Sequence, residues 1–138
     1  MGALLAAINA ARAQARVCRN GGPVMPAVAA LAWNARLGAA ADRHSRDMAE
    51  NNFFSHTGSD GSSPAQRVSA AGYSYWTTGE NIAAGYSSVS SVVSGWLGSA
   101  GHCENIMNAS YQDFGAACRY TAGSTYNYYW TTDFGRPR

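Results

Sequence analysis

The chain of 138 residues contains no lysine: all ten basic residues are arginine, and with so much alanine this points to a GC-rich genome rather than to a function. Charge of either sign is scarce. Only 13% of residues are charged, about half the roughly 25% usual in soluble domains. The net charge is +2 and no arginine run interleaves with aromatics, so nucleic acid is excluded as the expected partner. No apolar stretch approaches the roughly 20 residues of a membrane span. Residues 1–7 lack the basic and long apolar regions of a secretory leader. With only three cysteines and no C-x-x-C pair, a metal ribbon or a dithiol redox motif is not expected. H-E-x-x-H and G-x-S-x-G are absent as well, which removes the helix-borne zinc protease and the nucleophile elbow.

What is present reads as one domain over 1–138, long enough to bury a core. Leu4, Leu5, Ile8, Ala11, Ala15 and Cys18 recur near helical period over 3–18, with Arg12 and Arg16 on another face. Asn20-Gly21-Gly22-Pro23 stops that helix. Asn34 is a good N-cap for a second helix to about Asn51, whose apolar stripe includes His44. A histidine on that side is expected to be a hydrogen-bonded core residue. Pro64 opens a short helix, 64–71. Tyr73, Tyr75 and Trp76 precede Gly79-Glu80-Asn81-Ile82-Ala83, a short strand or extended segment. Ser87 or Ser88 caps a third helix through Val89, Val92, Val93 and Trp96, ended by Gly98 and Gly101. Alternation then takes over at Phe114–Tyr120 and Tyr126–Phe134 across a tight connection at 122–124, predicting a β-hairpin. Helices early and a hairpin late give an α+β fold with helices covering an antiparallel sheet.

Three polar residues stand out. His56 lies in a Ser/Gly/Asp loop on no apolar face. Glu80 sits beside an apolar run, where an unpaired carboxylate is costly to bury; it is either a working acid, a structural ion pair or a cap for backbone amides. His102 follows Gly101 at what reads as a helix-to-loop junction, with Glu104 nearby as a surface or capping residue. Two imidazoles and a carboxylate suit a divalent transition metal or acid–base work. Cys103 and Cys118 bracket a short segment and are expected to form a disulfide, which would contribute roughly 3 kcal/mol for a loop of about 15 residues. Cys18 is then left buried or free. If Cys103 were free, it would need His56 or another base to act as a nucleophile.

Four ordered motifs resemble one family: Ser55-His56 with Asp60-Gly61, Gly79-Glu80-Asn81-Ile82-Ala83, Trp96 with Ser99, Gly101-His102 and Asn105-Ile106, and Tyr129-Trp130 with Phe134-Gly135. With Trp33-Asn34 they cover residues 4–135 and look like a bacterial CAP domain, the superfamily of cysteine-rich secretory, antigen 5 and pathogenesis-related 1 proteins. The resemblance implies a three-layer α-β-α sandwich, a secreted or periplasmic location, and a cleft lined by two histidines and two acids. The histidines fall on His56 and His102 and the first acid on Glu80, while the second acid position is Ser99. Zinc or magnesium held by His56, Glu80 and His102 is therefore expected to bind weakly. Sterol, lipid or cell-envelope ligands are the partners implied. A monomeric binding module is the reading, with a metal-assisted hydrolase using His56, Glu80 and His102 as the alternative.

Overall fold

The computed structural model describes residues 1–138 and has eleven elements. Helix α1 (Gly2–Arg12) is followed by the two-residue strands β1 (Arg16–Val17), β2 (Val24–Met25) and β3 (Ala32–Trp33). Helices α2 (Ala35–Glu50) and α3 (Pro64–Ala70) lead to strand β4 (Tyr75–Ala84). Helices α4 (Val89–Leu97) and α5 (Ala100–Ile106) then precede the long hairpin β5 (Asp113–Tyr120) and β6 (Tyr128–Pro137).

Local chemistry explains most of these boundaries. Asn34 Oδ1 accepts from the backbone of Arg36 and Leu37 to start α2. Ser63 and Gln66 form a reciprocal capping box at α3, with Pro64 at its first position. Ser88 caps α4, which buries Val92, Val93 and Trp96. Two expectations change. The first helix ends at Arg12 rather than at 18, because Arg16–Val17 pairs antiparallel with Val24–Met25. Arg12, placed off the apolar stripe, is nonetheless buried: its guanidinium donates to the carbonyls of Ala29, Ile106, Asn108 and Tyr111 and pins α1 to distant segments of the chain.

The main sheet runs β3-β5-β6-β4, antiparallel except where β3 lies parallel to β5. Alternation divides its side chains between two layers. Ala83, Phe114, Ala116, Trp130 and Phe134 face α1, α4 and α5 in the largest core cluster. Ile82 and Tyr129 face the other way and pack on Met48 and Ala49 of α2. The result is the α-β-α sandwich. Gly115 lets α2 approach the sheet, since a Cβ there would collide with the backbone of Leu37 and Gly38. The aromatic trio divides by burial: Tyr73 is buried and donates to Asp113, whereas Trp76 is 66% exposed with the Arg138 guanidinium over its ring.

The disulfide differs from expectation. Cys103 bonds Cys18, not Cys118, and Cys118 is a half-buried free thiol. The reason is helical: residues 100–106 form α5, which turns Cys103 toward the N-terminal segment. Cys118 instead sits on β5 opposite Trp130, where burial pushes its thiol up to about 11.

Candidate functional site

Strand β4 is an edge, and the site is built along it. Edge carbonyls need partners or water; here Asn105 Nδ2 donates to the Glu80 carbonyl at 3.2 Å and Trp96 Nε1 to the Ile82 carbonyl at 3.0 Å. Asn81 Nδ2 donates to the His102 carbonyl and its Oδ1 accepts from Asn105. Helices α4 and α5 are thereby clamped to the edge.

The loop between α2 and α3 carries His56 and is tied down at several points. His44 is the buried core histidine anticipated from its stripe; its Nε2–H donates to the Ser55 carbonyl at 2.7 Å, and burial lowers its pKa. Asp47 accepts from both the backbone and the hydroxyl of Ser59. Arg67, 1% exposed and one turn into α3, donates to the carbonyls of Ser62 and His56. The same guanidinium nitrogen reaches both Glu80 oxygens, at 3.2 and 3.0 Å.

Glu80, 7% exposed, thus has a buried counter-ion, and it also takes the Nδ1–H of His56 at 2.9 Å. Burial alone would raise its pKa. The hydrogen bond from His56, a contact with Asp133 and the charge of Arg67 outweigh that and hold it below the ordinary glutamate range. The His56 side chain is 51% exposed, and the bond to Nδ1 leaves its Nε2 free.

His102 lies across the strand edge, inside α5 rather than at a helix-to-loop junction. Gly98 ends α4 and α5 begins two residues later, so Gly101 falls within a helix. Ser99 occupies the N-cap of α5 but makes no capping bond; its hydroxyl pairs with His102 Nδ1 at 2.9 Å. Ser99 therefore orients the ring from the position where the family resemblance puts an acid, without supplying charge. Burial, and then the neighbouring His56 imidazole, lower the His102 pKa. Glu104 points away and pairs with Arg19 at the surface.

The structure bonds His56 directly to Glu80 but joins His102 to neither. No three His, Cys, Asp or Glu side chains are grouped so as to hold a metal ion. Both Glu80 oxygens are engaged by Arg67, so the donors present do not fit a three-ligand cation site. Beside His102 a cavity of about 280 Å³ opens, lined mainly by apolar side chains including Phe54, Ile82, Tyr86 and Trp96, with Ser99 and His102 as its polar wall. Phe54 is 45% exposed and stacks edge-on with Tyr126 at the rim.

Two members of the cluster escaped the sequence reading. Arg67 shares the inward side of a short helix with Val68, and Asp133 occupies an inward position in the alternation of β6. An ionisable side chain at an otherwise apolar position was the signal in each case.

Comparison with known proteins agrees with this architecture. The family model described as CAP, cysteine-rich secretory protein family, matches residues 5–134. The uncharacterized protein YkwD of Bacillus subtilis is 38% identical over 79 residues, covering 57% of this chain and 31% of that protein. An extracellular protein containing an SCP domain from Bacillus anthracis is 31% identical with a TM-score of 0.69, over 79% of this chain and 34% of that one. An outer surface protein of Borrelia burgdorferi is 26% identical with a TM-score of 0.71, over 78% of both chains. The chain thus spans about a third of the length of the first two of these relatives. As the family model runs across nearly all of the folded core, from α1 to β6, the protein belongs to the cysteine-rich secretory protein (CAP) family.

Proposed function

We propose that the chain is an extracellular binding module that takes an apolar portion of a lipid, sterol or other cell-envelope molecule into the cavity beside His102. The observation that carries this reading is the pairing of an apolar cavity with an acid whose charge is already neutralised. Glu80, on the same strand as the cavity-lining Ile82, Ala83 and Ala84, is matched by Arg67 and His56. The cavity wall beyond His102 and Ser99 is mainly apolar. A volume of about 280 Å³ is slightly below the roughly 300–1,000 Å³ of whole-ligand pockets, so it suits one acyl segment or ring rather than an entire amphiphile. A disulfide between Cys18 and Cys103 suits an oxidising compartment, and the solved relatives are described as extracellular and outer-surface proteins.

The hydrolase alternative has less support. Water activation by Glu80 needs a free carboxylate, and both oxygens are occupied by a buried arginine. Zinc or magnesium could draw only on His56 and His102, two nitrogen donors with water completing the sphere, which makes any such binding weak.

The test is titration of delipidated protein with a fluorescent fatty acid, comparing wild type with Phe54→Ala. Saturable binding that weakens about five- to tenfold in the variant is expected, since half-burying a phenylalanine contributes roughly 1–1.4 kcal/mol. Absence of saturable binding to wild type would reject the reading.

A further inference from the structure

Asp133 is the one fully buried carboxyl of the protein, at 0% exposure; neither of its oxygens receives a hydrogen from a donor group, and the polar group within hydrogen-bond reach is the Glu80 carboxylate. Buried polar atoms without partners are uncommon and need an explanation. Its position supplies one. Glu80 and Asp133 are directly opposed on the antiparallel strands β4 and β6, so their side chains share a face with Cβ atoms about 5 Å apart. We infer that Asp133 is a neutral acid whose O–H donates to the Glu80 carboxylate, making it a positioning residue that fixes Glu80 and, through it, the His56 ring.

Charge balance favours this assignment. The groups around Asp133 are Glu80 on β4 and Arg67 on α3, with His44 of α2 next to both of these. His44 donates through Nε2 to a carbonyl and is buried with its pKa lowered, which makes it neutral. Two ionised carboxylates against one guanidinium would leave a net buried negative charge, which a low-dielectric interior resists. One proton removes it. Glu80 accepts from Arg67 and His56 whereas Asp133 accepts from nothing, so the proton belongs on Asp133. Burial, and then the adjacent Glu80 charge, raise Asp133 well above the ordinary aspartate range.

The arrangement gives the site an ordered relay of donors: Asp133 to Glu80 Oε, Arg67 to both Glu80 oxygens, and His56 Nδ1 to Oε1. The His56 tautomer is then set from beneath, and its Nε2 is left unbonded on a half-exposed ring. The rival arrangement is an ionised Asp133 bridged by water to Arg67 Nε, which also has no partner.

Isotope-edited infrared spectroscopy separates the two. Wild-type protein carrying ¹³C at its aspartate carboxyls should show, at neutral pH, one protonated-acid carbonyl stretch that shifts with the label and is missing from Asp133→Asn. No protonated-acid band at neutral pH would overturn the inference, as would a band insensitive to the aspartate label, which would place the proton on Glu80. The positioning role is read from the His56 Nδ1–H proton resonance. Asp133→Asn, whose amide donates in place of the acid, should retain that resonance, and Asp133→Leu, which cannot donate, should lose it. Retention in both variants, or loss in both, would overturn the role. The wild-type infrared result decides the protonation state even if the leucine variant does not fold.

Discussion

Replacing Arg67 by methionine probes the buried charge cluster most directly. Arg67 and Glu80 are each 1% exposed at the side chain and meet at 3.0 Å. Methionine fills much of the same volume but leaves Glu80 without its counter-ion and the carbonyls of Ser62 and His56 without a donor. Removing one partner of a buried pair costs about 3–5 kcal/mol. His56 and Asp133 still offer Glu80 hydrogen bonds, so the lower end, about 3 kcal/mol, is expected at neutral pH. For a domain of this size each kcal/mol moves the midpoint by about 3–4 °C, and thermal denaturation followed by circular dichroism should show a fall of roughly 10 °C. The loss should shrink on acidification. In wild type the Glu80 pKa is lowered, so its stabilisation is present above the unfolded value of about 4.3 and is lost as pH falls through the folded value. In the variant the sign reverses. Without its counter-ion the buried Glu80 titrates above its unfolded value, so the variant is penalised as pH rises and the gap narrows progressively as pH falls below about 4. Arg67→Met/Glu80→Gln should be less destabilised than the sum of its single variants. A neutral-pH loss below about 1 kcal/mol, or a gap that widens in acid, would refute the argument.

Other consequences are independent of that cluster. The Cys18–Cys103 bridge closes a separation of 85 residues, for which the chain-entropy model gives about 4.5 kcal/mol. Cys18→Ser should therefore melt well below wild type, and thiol titration of the denatured, unreduced wild type should find one free group, Cys118. The buried His44, with its lowered pKa, contributes stability that is complete above the unfolded value of about 6.5 and is lost as pH falls below it. The melting temperature should drop between about pH 7.5 and 5.5, with His102 adding the same sign, and His44→Gln should flatten the slope. A slope unchanged in that variant would assign the titration elsewhere. Ser99→Glu places a carboxylate against His102 Nδ1 and should raise the His102 pKa by roughly one unit or more, measurable by NMR titration; no shift would contradict the Ser99–His102 pairing.

The sequence by itself determined the elements whose signals lie within a few residues. Asn34, Pro64 and the Ser87–Ser88 pair marked three helix starts because caps and first-turn preferences act within two or three positions. Alternation marked β5 and β6 because pleating has a period of two, and His44 was assigned to the core by helical period alone. Motif order carried the family and the candidates His56, Glu80 and His102. Only the tertiary structure decided how distant segments meet. Glycine spacing suggested that His102 lay outside a helix, yet α5 forms because it packs on α4 and β4 and is held there by Asn105 and Asn81. That same helix aims Cys103 at Cys18 instead of Cys118. The buried roles of Arg12, Arg67 and Asp133 depend on carbonyls and carboxylates far along the chain or across a strand pair. Periodicity assigns a residue to a face, but strand register and helix packing determine which charged groups share an interior, and desolvation there decides which remain ionised.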